Sequence, residues 1–404
     1  MKAESDALLQ ALVFFLVATA VSMIYITQPV LPVIEKEFGI DAKWASLSVS
    51  AVIFGIALAN LPFGVIADRF PIMPIILMGG SVVAAAGFIC AITHSIVPFI
   101  AARFVQGLFL PSLTTCIAAY LAQQLPASRL NVVMGSYVSA TVAGGLGGRL
   151  LGGWIHPPLH WRYAFVSASV LLITATCTAF VWLPKGKTDH RLEQRPAGFT
   201  ALLAQPGLLR TIAVGFGAFF VFSSTFNYLP FYLSRPPFSV STEVITLMYL
   251  AYLIGIVVGP LSGKLSNRVG SGATLLFGSL LLSAAVAATL VHSLAAVAAS
   301  LVAICAAFFS IHAAAVGLLN RRLRASRGRA NSLYVLFYYV GGAVGITACG
   351  YAYTSYGWTG TVSLNIAVLL LPLIIGLVEI TQERRIRNKT AYGGGKPDCE
   401  GTTQ

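Results

Sequence analysis

Two arginines of this sequence lie inside long apolar segments, where a charged side chain needs a partner or water. Arg103 belongs to the segment RFVQG, and Arg149 belongs to the segment GGLGGRLLGG. A charge near the centre of a membrane span costs about 2.5–3.5 kcal/mol on insertion scales, so each arginine should face protein or a water-filled cavity. Arg103, with Gln106 one helical turn along, either lines a cavity or is held by backbone carbonyl groups. Arg149 either lines a cavity or extends its charge outward to the membrane surface.

The acidic residues and the histidines of the sequence limit what these arginines could bind. All thirteen acidic residues lie in tails, in connectors or at the ends of apolar segments. Cationic side chains without a carboxylate beside them repel a cationic ligand in a low dielectric, so the pattern favours a neutral or anionic small molecule. His312 is the only histidine well inside an apolar segment. It is either a proton site or a neutral imidazole hydrogen-bonded between helices.

The composition places these residues in a membrane protein. Apolar residues make up 57% of the 404-residue chain and charged residues only 10%, whereas about a quarter of the residues of a soluble protein are charged. In lipid, apolar segments of this length satisfy their backbone hydrogen bonds only as helices. The sequence therefore predicts an all-α polytopic membrane protein. Its twelve expected transmembrane helices span roughly residues 9–33, 45–66, 73–93, 97–123, 131–155, 162–183, 209–233, 243–262, 272–291, 296–319, 331–353 and 358–379.

The charges between the spans predict the orientation and the domains. Twenty of the 26 lysines and arginines fall in tails and connectors on one side of the membrane, and four fall on the other side. The positive-inside rule then places both termini in the cytoplasm. The expected domains are an N-terminal six-helix bundle at 1–183, a cytoplasmic linker at 184–208, a C-terminal six-helix bundle at 209–380, and a disordered cytoplasmic tail at 381–404.

The two bundles resemble each other in sequence. The segment GVIADR, with Gly64, Asp68 and Arg69, returns as GKLSNR, with Gly263, Asn267 and Arg268. We interpret both segments as short turns at the end of a span. The other matches at an offset near 200 pair Phe38 with Phe238, Gly55 with Gly255, Arg129 with Arg329 and Asn131 with Asn331. The matching order predicts two parallel repeats around a central cavity.

A row of glycines in the fifth span predicts close helix packing. Gly144, Gly148 and Gly152 recur every four residues. They therefore form one flat face on which another helix can approach closely.

Three segments of the sequence resemble signatures of the major facilitator superfamily. GVIADRF resembles the loop signature of that family, although Pro71 and the residues after it replace the usual glycine and basic residues. RFVQG, from Arg103 to Gly107, resembles the R-x-x-Q-G motif. GGLGGRLLGG resembles the antiporter signature, with Arg149 in place of a proline. The resemblance covers the whole chain and is closest to the bacterial drug and metabolite:proton antiporters of the arabinose-efflux type.

The resemblance implies roles for several of these residues. Asp68 would contact the amino-terminal end of span eleven, near Asn331, and hold the cytoplasmic side closed; alternatively it is a solvated turn residue. Arg103 would take part in proton coupling, with Thr27 and Gln28 of span one as the available partners. Spans one, four, seven and ten would form the cavity wall. The candidate cavity residues, which either line it or pack between helices, are Tyr25, Gln28, Asn227, Tyr228, Tyr334 and Tyr338.

The function expected from these features is secondary transport. The leading hypothesis is proton-coupled efflux of a small neutral or anionic organic molecule across the inner (cytoplasmic) membrane, with His312 or Asp68 as the proton carrier. The alternatives are a proton-coupled symporter that imports a nutrient or organic anion and, more distantly, a non-transporting membrane receptor. Enzyme motifs are missing from the sequence. We therefore expect no catalytic residue, no metal and no cofactor. The expected partners are a small-molecule substrate, protons and the lipid bilayer, without nucleic acid, and the expected state is a monomer.

Overall fold

The computed structural model describes residues 2–183, 198–323 and 327–392, and every regular element within these ranges is helical. The α-helices in the described residues are α1 Lys2–Tyr25, α2 Leu31–Phe38, α3 Ala42–Arg69, α4 Ile72–Ile92, α5 Ile96–Leu113, α6 Thr115–Gln124, α7 Ala127–Ile155, α8 Arg162–Trp182, α9 Phe199–Leu203, α10 Pro206–Ser234, α11 Thr242–Met248, α12 Ile254–Val269, α13 Ser271–Ala288, α14 Leu294–Arg322 and α15 Arg327–Tyr392. Short 3-10 turns at Gln28–Val30 and Tyr249–Leu253 connect α1 to α2 and α11 to α12.

These helices make twelve crossings of a membrane, as the sequence predicts. Ten stretches of the described residues are long and apolar enough to cross. The last of them, Gly328–Arg385, contains two crossings, because Gly357 interrupts α15 with a φ of 59°, a conformation that favours glycine. The glycine-rich helix α7 is not among the ten stretches, but it packs along α1 and brings the number of crossings to twelve.

Besides the fourth crossing, which is divided at Thr114 between α5 and α6, two crossings are interrupted. Pro29 and Pro32 lack backbone N–H groups, so the helix that begins with α1 ends at Tyr25 and resumes as α2. The eighth crossing is divided by the 3-10 turn at Tyr249–Leu253. No proline or glycine marks this second break in the sequence, which instead predicts an unbroken span.

The linker and the tail differ in part from the expectation. Residues 184–197 and 393–404 lie outside the described residues. Within the expected linker, Phe199–Leu203 forms the short helix α9, and α10 already begins at Pro206. Helix α15 continues beyond residue 380 to Tyr392, through part of the segment that we expected to be a disordered tail.

The two halves share one mode of helix packing. A Cβ atom added at Gly148 of α7 would lie 2.8 Å from the carbonyl carbon of Ser22 on α1. A Cβ atom added at Gly345 of α15 would lie 2.9 Å from the carbonyl carbon of Phe220 on α10. The glycines that would overlap a facing backbone in the same way are Gly144 and Gly152 in the first pair and Gly341 in the second. Spans one and five thus pack as spans seven and eleven do, as expected for parallel repeats.

We call helices α1–α8 the N half and helices α9–α15 the C half. The termini side is the face where α1 begins and α15 ends, and the far side is the opposite face, where α2 ends and α3 begins. The halves pack against each other through α3 and α15, and through α7 with α11 and the turn that follows it. Nearer the termini side, α6 packs mainly on α3, α4, α5 and α7, and α12 mainly on α13 and α14. Among the described residues, α6 and α12 therefore pack mainly within their own halves.

Candidate functional site

Arg149 lies in a cage of tyrosines at the boundary between the halves. Its guanidinium carbon lies 3.9 Å from the ring centroid of Tyr25 and 4.2 Å from that of Tyr252. Nε donates a hydrogen bond to Gln28 Oε1 at 2.7 Å, and one terminal nitrogen donates to the Tyr252 hydroxyl at 2.8 Å. The other terminal nitrogen donates to the Gly145 carbonyl at 2.5 Å. Arg149 therefore points inward, and it connects α7 of the N half to the broken eighth crossing of the C half.

The Arg149 cage contains no counter-ion. The side chain is 2% exposed, and no described carboxylate lies within 4 Å of it. Its three hydrogen bonds use three of the five N–H groups of a guanidinium. The neighbouring amide nitrogen of Gln28 is also buried, and it has no hydrogen-bond partner. The cage thus offers unused N–H donors beside an uncompensated positive charge.

Arg103 is held by the backbone instead. It donates hydrogen bonds to the carbonyl oxygens of Met23, Ile24 and Ser48 and to Gln106 Oε1, at 2.6–3.0 Å. The expectation that Thr27 and Gln28 are its partners is wrong. Because α1 ends at Tyr25, the carbonyl groups of its last turn lack partners within a continuing helix, and the guanidinium caps two of them.

The side chains around Arg103 fix this arrangement. Gln106 is buried, and its amide nitrogen donates to the Val83 carbonyl at 3.2 Å. A Cβ atom at Gly107 would overlap the backbone of Val52, so this glycine allows α5 to approach α3 closely. Thr27 is buried, and its hydroxyl has no partner. The R-x-x-Q-G segment therefore joins α1, α3, α4 and α5 of the N half.

A group of stacked rings, which we call the aromatic slab, lies in the C half. The slab consists of Phe219, Phe222, Phe308 and Tyr338. Phe222 stacks on Phe308, and Phe219 stacks on Tyr338, each with ring centroids 3.9 Å apart. Three phenylalanines of the slab are buried, whereas Tyr338 is half-buried.

The slab continues to the Arg149 cage and to His312. The ring of Tyr252 lies 5.2 Å from that of Phe222 and also covers Arg149. At the other end, His312 lies 5.2 Å from Tyr338 between ring centroids. Its Nδ1 is 3.0 Å from the hydroxyl of Tyr334. His312 is half-buried and hydrogen-bonds to Tyr334, so it belongs to this aromatic wall.

The remaining cavity candidates differ in their surroundings. Tyr228 is buried, donates to the Ile346 carbonyl at 2.9 Å and stacks on Tyr353, so it packs between α10 and α15. Asn227 is fully buried, and neither atom of its amide group has a partner. Tyr228 thus has a packing role here, whereas Asn227 has an amide that a ligand or water could satisfy.

Polar contacts close the boundary between the halves at the far side. Arg235, after α10, donates to both carboxylate oxygens of Glu35 on α2, at 2.7 and 2.9 Å. The Ser50 hydroxyl lies 3.0 Å from the Ala343 carbonyl and 2.9 Å from the Thr347 hydroxyl. Together with the bond between Arg149 and Tyr252, these contacts form the far-side gate.

The repeated GVIADR segment is helical, although the sequence predicts a turn. Gly64–Arg69 forms the end of α3, which stops where Phe70 precedes Pro71 and takes an extended conformation. Gly263–Arg268 lies within α12, which ends before Gly270 at a φ of 96°. A Cβ atom at Gly64 or Gly263 would meet nothing within 4 Å, so neither glycine is required by packing.

The charged residues of this segment have different surroundings in the two halves. The Asp68 side chain lies outside the described residues, so its contact with span eleven stays a prediction. Its counterpart Asn267 accepts a hydrogen bond from Arg321 at 2.8 Å. Arg69 and Arg268 are exposed at the termini side.

A cluster that the sequence did not reveal lies at the termini side of the C half. The Glu379 carboxylate is 1% exposed. It accepts hydrogen bonds from Arg210 Nε at 2.8 Å and from Arg322. Nearby, Glu383 accepts from the backbone N–H groups of Ser271 and Gly272, at the amino terminus of α13. Periodicity placed Glu379 at the end of a span, but it could not indicate that two distant arginines would enclose it.

Comparisons with known proteins agree with this architecture. The family model described as Major Facilitator Superfamily matches residues 11–325. The inner membrane transport protein YnfM of Escherichia coli (strain K12) is 28% identical over 362 residues, which cover 88% of this chain and 86% of that protein. An uncharacterized transporter of Buchnera aphidicola subsp. Schizaphis graminum (strain Sg) is 26% identical over 360 residues, which cover 88% and 87%.

Two solved structures share the fold. A bacterial homologue of the human lysosomal transporter Spinster, in an inward-facing and unoccupied conformation, has a TM-score of 0.72 at 16% identity, covering 95% of this chain and 97% of that one. The human organic anion transporter MFSD10 (TETRAN) has a TM-score of 0.67 at 18% identity, covering 92% and 99%.

Proposed function

We propose that this chain, which belongs to the major facilitator superfamily, exports a small neutral or anionic organic molecule across the cytoplasmic membrane in exchange for protons. In this proposal the termini side faces the cytoplasm, in line with the distribution of lysine and arginine between the two sides. The two halves rock about a site between them and expose it to one side at a time.

The observation that carries the proposal is the set of polar contacts that join the two halves at the far side. Glu35 with Arg235, Arg149 with Tyr252, and Ser50 with Thr347 join the halves at the far side. Helices α6 and α12, nearer the termini side, pack mainly within their own half. A pair of halves closed at one face is the arrangement that alternating access requires.

The positive charge of Arg149 supports a neutral or anionic substrate. Arg149 is buried at the boundary without a described carboxylate beside it. The buried acid Glu379 is already bound to Arg210 and Arg322. An organic cation would therefore meet an uncompensated positive charge in a low dielectric, and no free buried acid among the described residues would attract it.

His312 is our proposed proton carrier. It is half-buried in the aromatic wall, and its Nδ1 lies 3.0 Å from the Tyr334 hydroxyl. Histidine is the side chain whose ordinary pKa lies nearest to physiological pH, so a change of access from one side to the other can load and unload its proton.

Inverted membrane vesicles with an acidic interior test the exchange. A pH-sensitive dye reports proton release when a panel of neutral, anionic and cationic organic solutes is added in turn. We expect proton release with neutral or anionic solutes and none with cations. Release with cations alone would refute the substrate class. Solute uptake driven by an inward proton gradient in right-side-out vesicles, without release in inverted ones, would instead indicate a symporter.

A matched pair of variants tests the proton carrier. His312→Gln should abolish proton release but retain exchange of labelled for unlabelled solute, since exchange needs no net proton movement. His292→Gln changes an exposed histidine and should leave both signals unchanged. Normal proton release by the His312→Gln variant would exclude His312 as the carrier.

A further inference from the structure

The Arg149 cage adjoins the aromatic slab at the boundary between the halves, because Tyr252 contacts both. Tyr25 from the N half and Tyr252 from the C half both lie against the guanidinium, which is 3.9 and 4.2 Å from their ring centroids. Tyr252 also lies 5.2 Å from Phe222 of the slab, measured between ring centroids. Tyr25 and Tyr338 are both half-buried. One small molecule between the halves could therefore contact the cage and the slab together.

The chemistry of these two surfaces specifies different parts of a ligand. The cage supplies an arginine with two unused N–H groups and the unpartnered amide nitrogen of Gln28. Such donors fit the oxygen atoms of a carboxylate or another oxyanion. The slab supplies flat rings, on which another aromatic ring packs favourably. The cage already holds a cation against its tyrosines, so a second cation would be repelled.

We propose that the substrate is a small aromatic anion whose charged group binds Arg149 and whose ring packs on Tyr338 and the rest of the aromatic slab. This inference rests on the proposed function, because it specifies the substrate class of that same site. Binding also changes the hydrogen bonds of Arg149. The anion replaces the Tyr252 hydroxyl as the acceptor for Arg149, because an ionised acceptor forms a stronger hydrogen bond than a neutral phenol.

Loss of the bond between Arg149 and Tyr252 removes one of the contacts of the far-side gate. The remaining contacts are the exposed ion pair of Glu35 with Arg235 and the hydroxyl contacts of Ser50. Binding of an aromatic anion therefore weakens the closure of the far side. Occupancy of the site and opening of the gate are linked through one guanidinium group.

Calorimetry on the purified protein in detergent tests the ligand class. The probes are benzoate, its neutral analogue benzyl alcohol, the cation benzylamine and the non-aromatic anion cyclohexanecarboxylate. We expect benzoate to bind at least about 30-fold more tightly than benzyl alcohol, since a buried charged pair contributes 2 kcal/mol or more. Benzoate should also bind more tightly than cyclohexanecarboxylate, and benzylamine should not bind. Equal affinity for benzoate and benzyl alcohol would overturn the inference without any variant.

Variants then assign the two parts of the site. Arg149→Gln should abolish the preference for benzoate over benzyl alcohol, whereas Lys264→Gln, which removes an exposed cation, should preserve it. Tyr338→Leu should weaken benzoate about 2- to 10-fold and leave cyclohexanecarboxylate unchanged. Tyr338→Phe keeps the ring and should keep the affinity, and Phe54→Leu, at an exposed ring on α3, should have no effect. A preference that survives Arg149→Gln would exclude the cage as the anion site.

The Tyr252→Phe variant distinguishes two roles of Tyr252. Either the anion displaces its hydroxyl from Arg149, or the side chain only supports the site. Because the phenol no longer competes for Arg149, benzoate should bind about 2- to 10-fold more tightly to this variant. A weaker affinity would mean that Tyr252 only supports the site, and it would refute the displacement step.

Failure of this inference can be distinguished from failure of the proposed function. The binding assay needs no membrane and no gradient. A protein that exchanges other solutes for protons but does not bind benzoate would overturn the inference and leave the exporter in place. Benzoate that binds as expected, in a protein that releases no protons with any solute, would overturn the exporter and leave the aromatic-anion site in place.

Discussion

Among the described residues of the N half, the buried charges are the guanidinium groups of Arg103 and Arg149, which donate to carbonyl, amide and phenol oxygens. In the described part of the C half, the buried charge is the carboxylate of Glu379, which two arginines enclose. The halves nevertheless share one helix framework, because glycines of α7 and α15 contact the backbones of α1 and α10 in the same way. The two copies of the repeat therefore keep the same close backbone contacts, but they differ in the sign and the partners of their buried charges.

Of the substitutions that test this comparison, removal of Arg103 should destabilise the protein most. Arg103→Ala leaves three backbone carbonyl groups and Gln106 without their donor, at about 1–3 kcal/mol for each buried group that stays unsatisfied. We expect little folded protein, or a melting temperature in detergent far below that of the parent. Arg385→Ala, at an exposed position on α15, should melt as the parent does. Equal melting of the two variants would show that the guanidinium is not a structural clamp.

Neutralising the buried acid of the C half should have the next largest effect. Glu379→Gln removes the negative charge that binds Arg210 and Arg322. Breaking a buried ion pair costs 3–5 kcal/mol, but these arginines are partly exposed, so we expect about 2–3 kcal/mol. The melting temperature should fall while the folded protein remains recoverable. A more stable variant would contradict a stabilising role for this cluster.

The shared framework predicts similar penalties in both halves. Gly148→Ala and Gly345→Ala each place a methyl group against a facing backbone, which should destabilise the protein by about 1–2 kcal/mol. Gly147→Ala is the matched control, because a Cβ atom there meets nothing within 4 Å. Thermal unfolding of the three variants measures the loss of stability at each of the two contacts. Sensitivity at only one of the two contacts would mean that the halves do not share their packing.

The ion pair between the halves should have the smallest effect. The pair of Glu35 with Arg235 is partly exposed, and such pairs contribute about 0.2–1 kcal/mol. In a double-mutant cycle with Glu35→Gln and Arg235→Gln, the coupling energy should fall in this range and decrease as salt is added. A coupling well above it would make this pair, instead of Arg149, the main bond of the far-side gate.

Much of the fold could be predicted from the sequence, because apolar length and charge placement act locally along the chain. These two signals predicted the twelve crossings, and the first of them breaks at Pro29 and Pro32, which have no backbone N–H group. The break at Tyr249–Leu253 carries no such residue. The GVIADR segment looked like a turn because it ends a span, yet α3 continues through it until Pro71 prevents further helix.

The site was less predictable, since its contacts join residues far apart in the chain. Arg149 stood out as a charge in a glycine-rich span, but its partners Gln28 and Tyr252 are 121 and 103 residues away. Spacing within one helix cannot reveal which side chain of another half will face it. For the same reason Arg103 was assigned to the side chains of span one, whereas the end of α1 presents its carbonyl groups instead.

The hydrogen bonds from Arg103 to the end of α1 also affect the order in which the crossings form during synthesis. Arg103 follows Met23 by 80 residues, so α1 leaves the ribosome well before the group that caps its last turn. We expect the first crossing to stay incomplete until the fourth has entered the membrane. Chains arrested before residue 103 should then be cleaved near residues 25–30 by added protease, whereas chains arrested after α6 should resist cleavage. Cleavage that is equal in the two cases would show that the first crossing matures on its own.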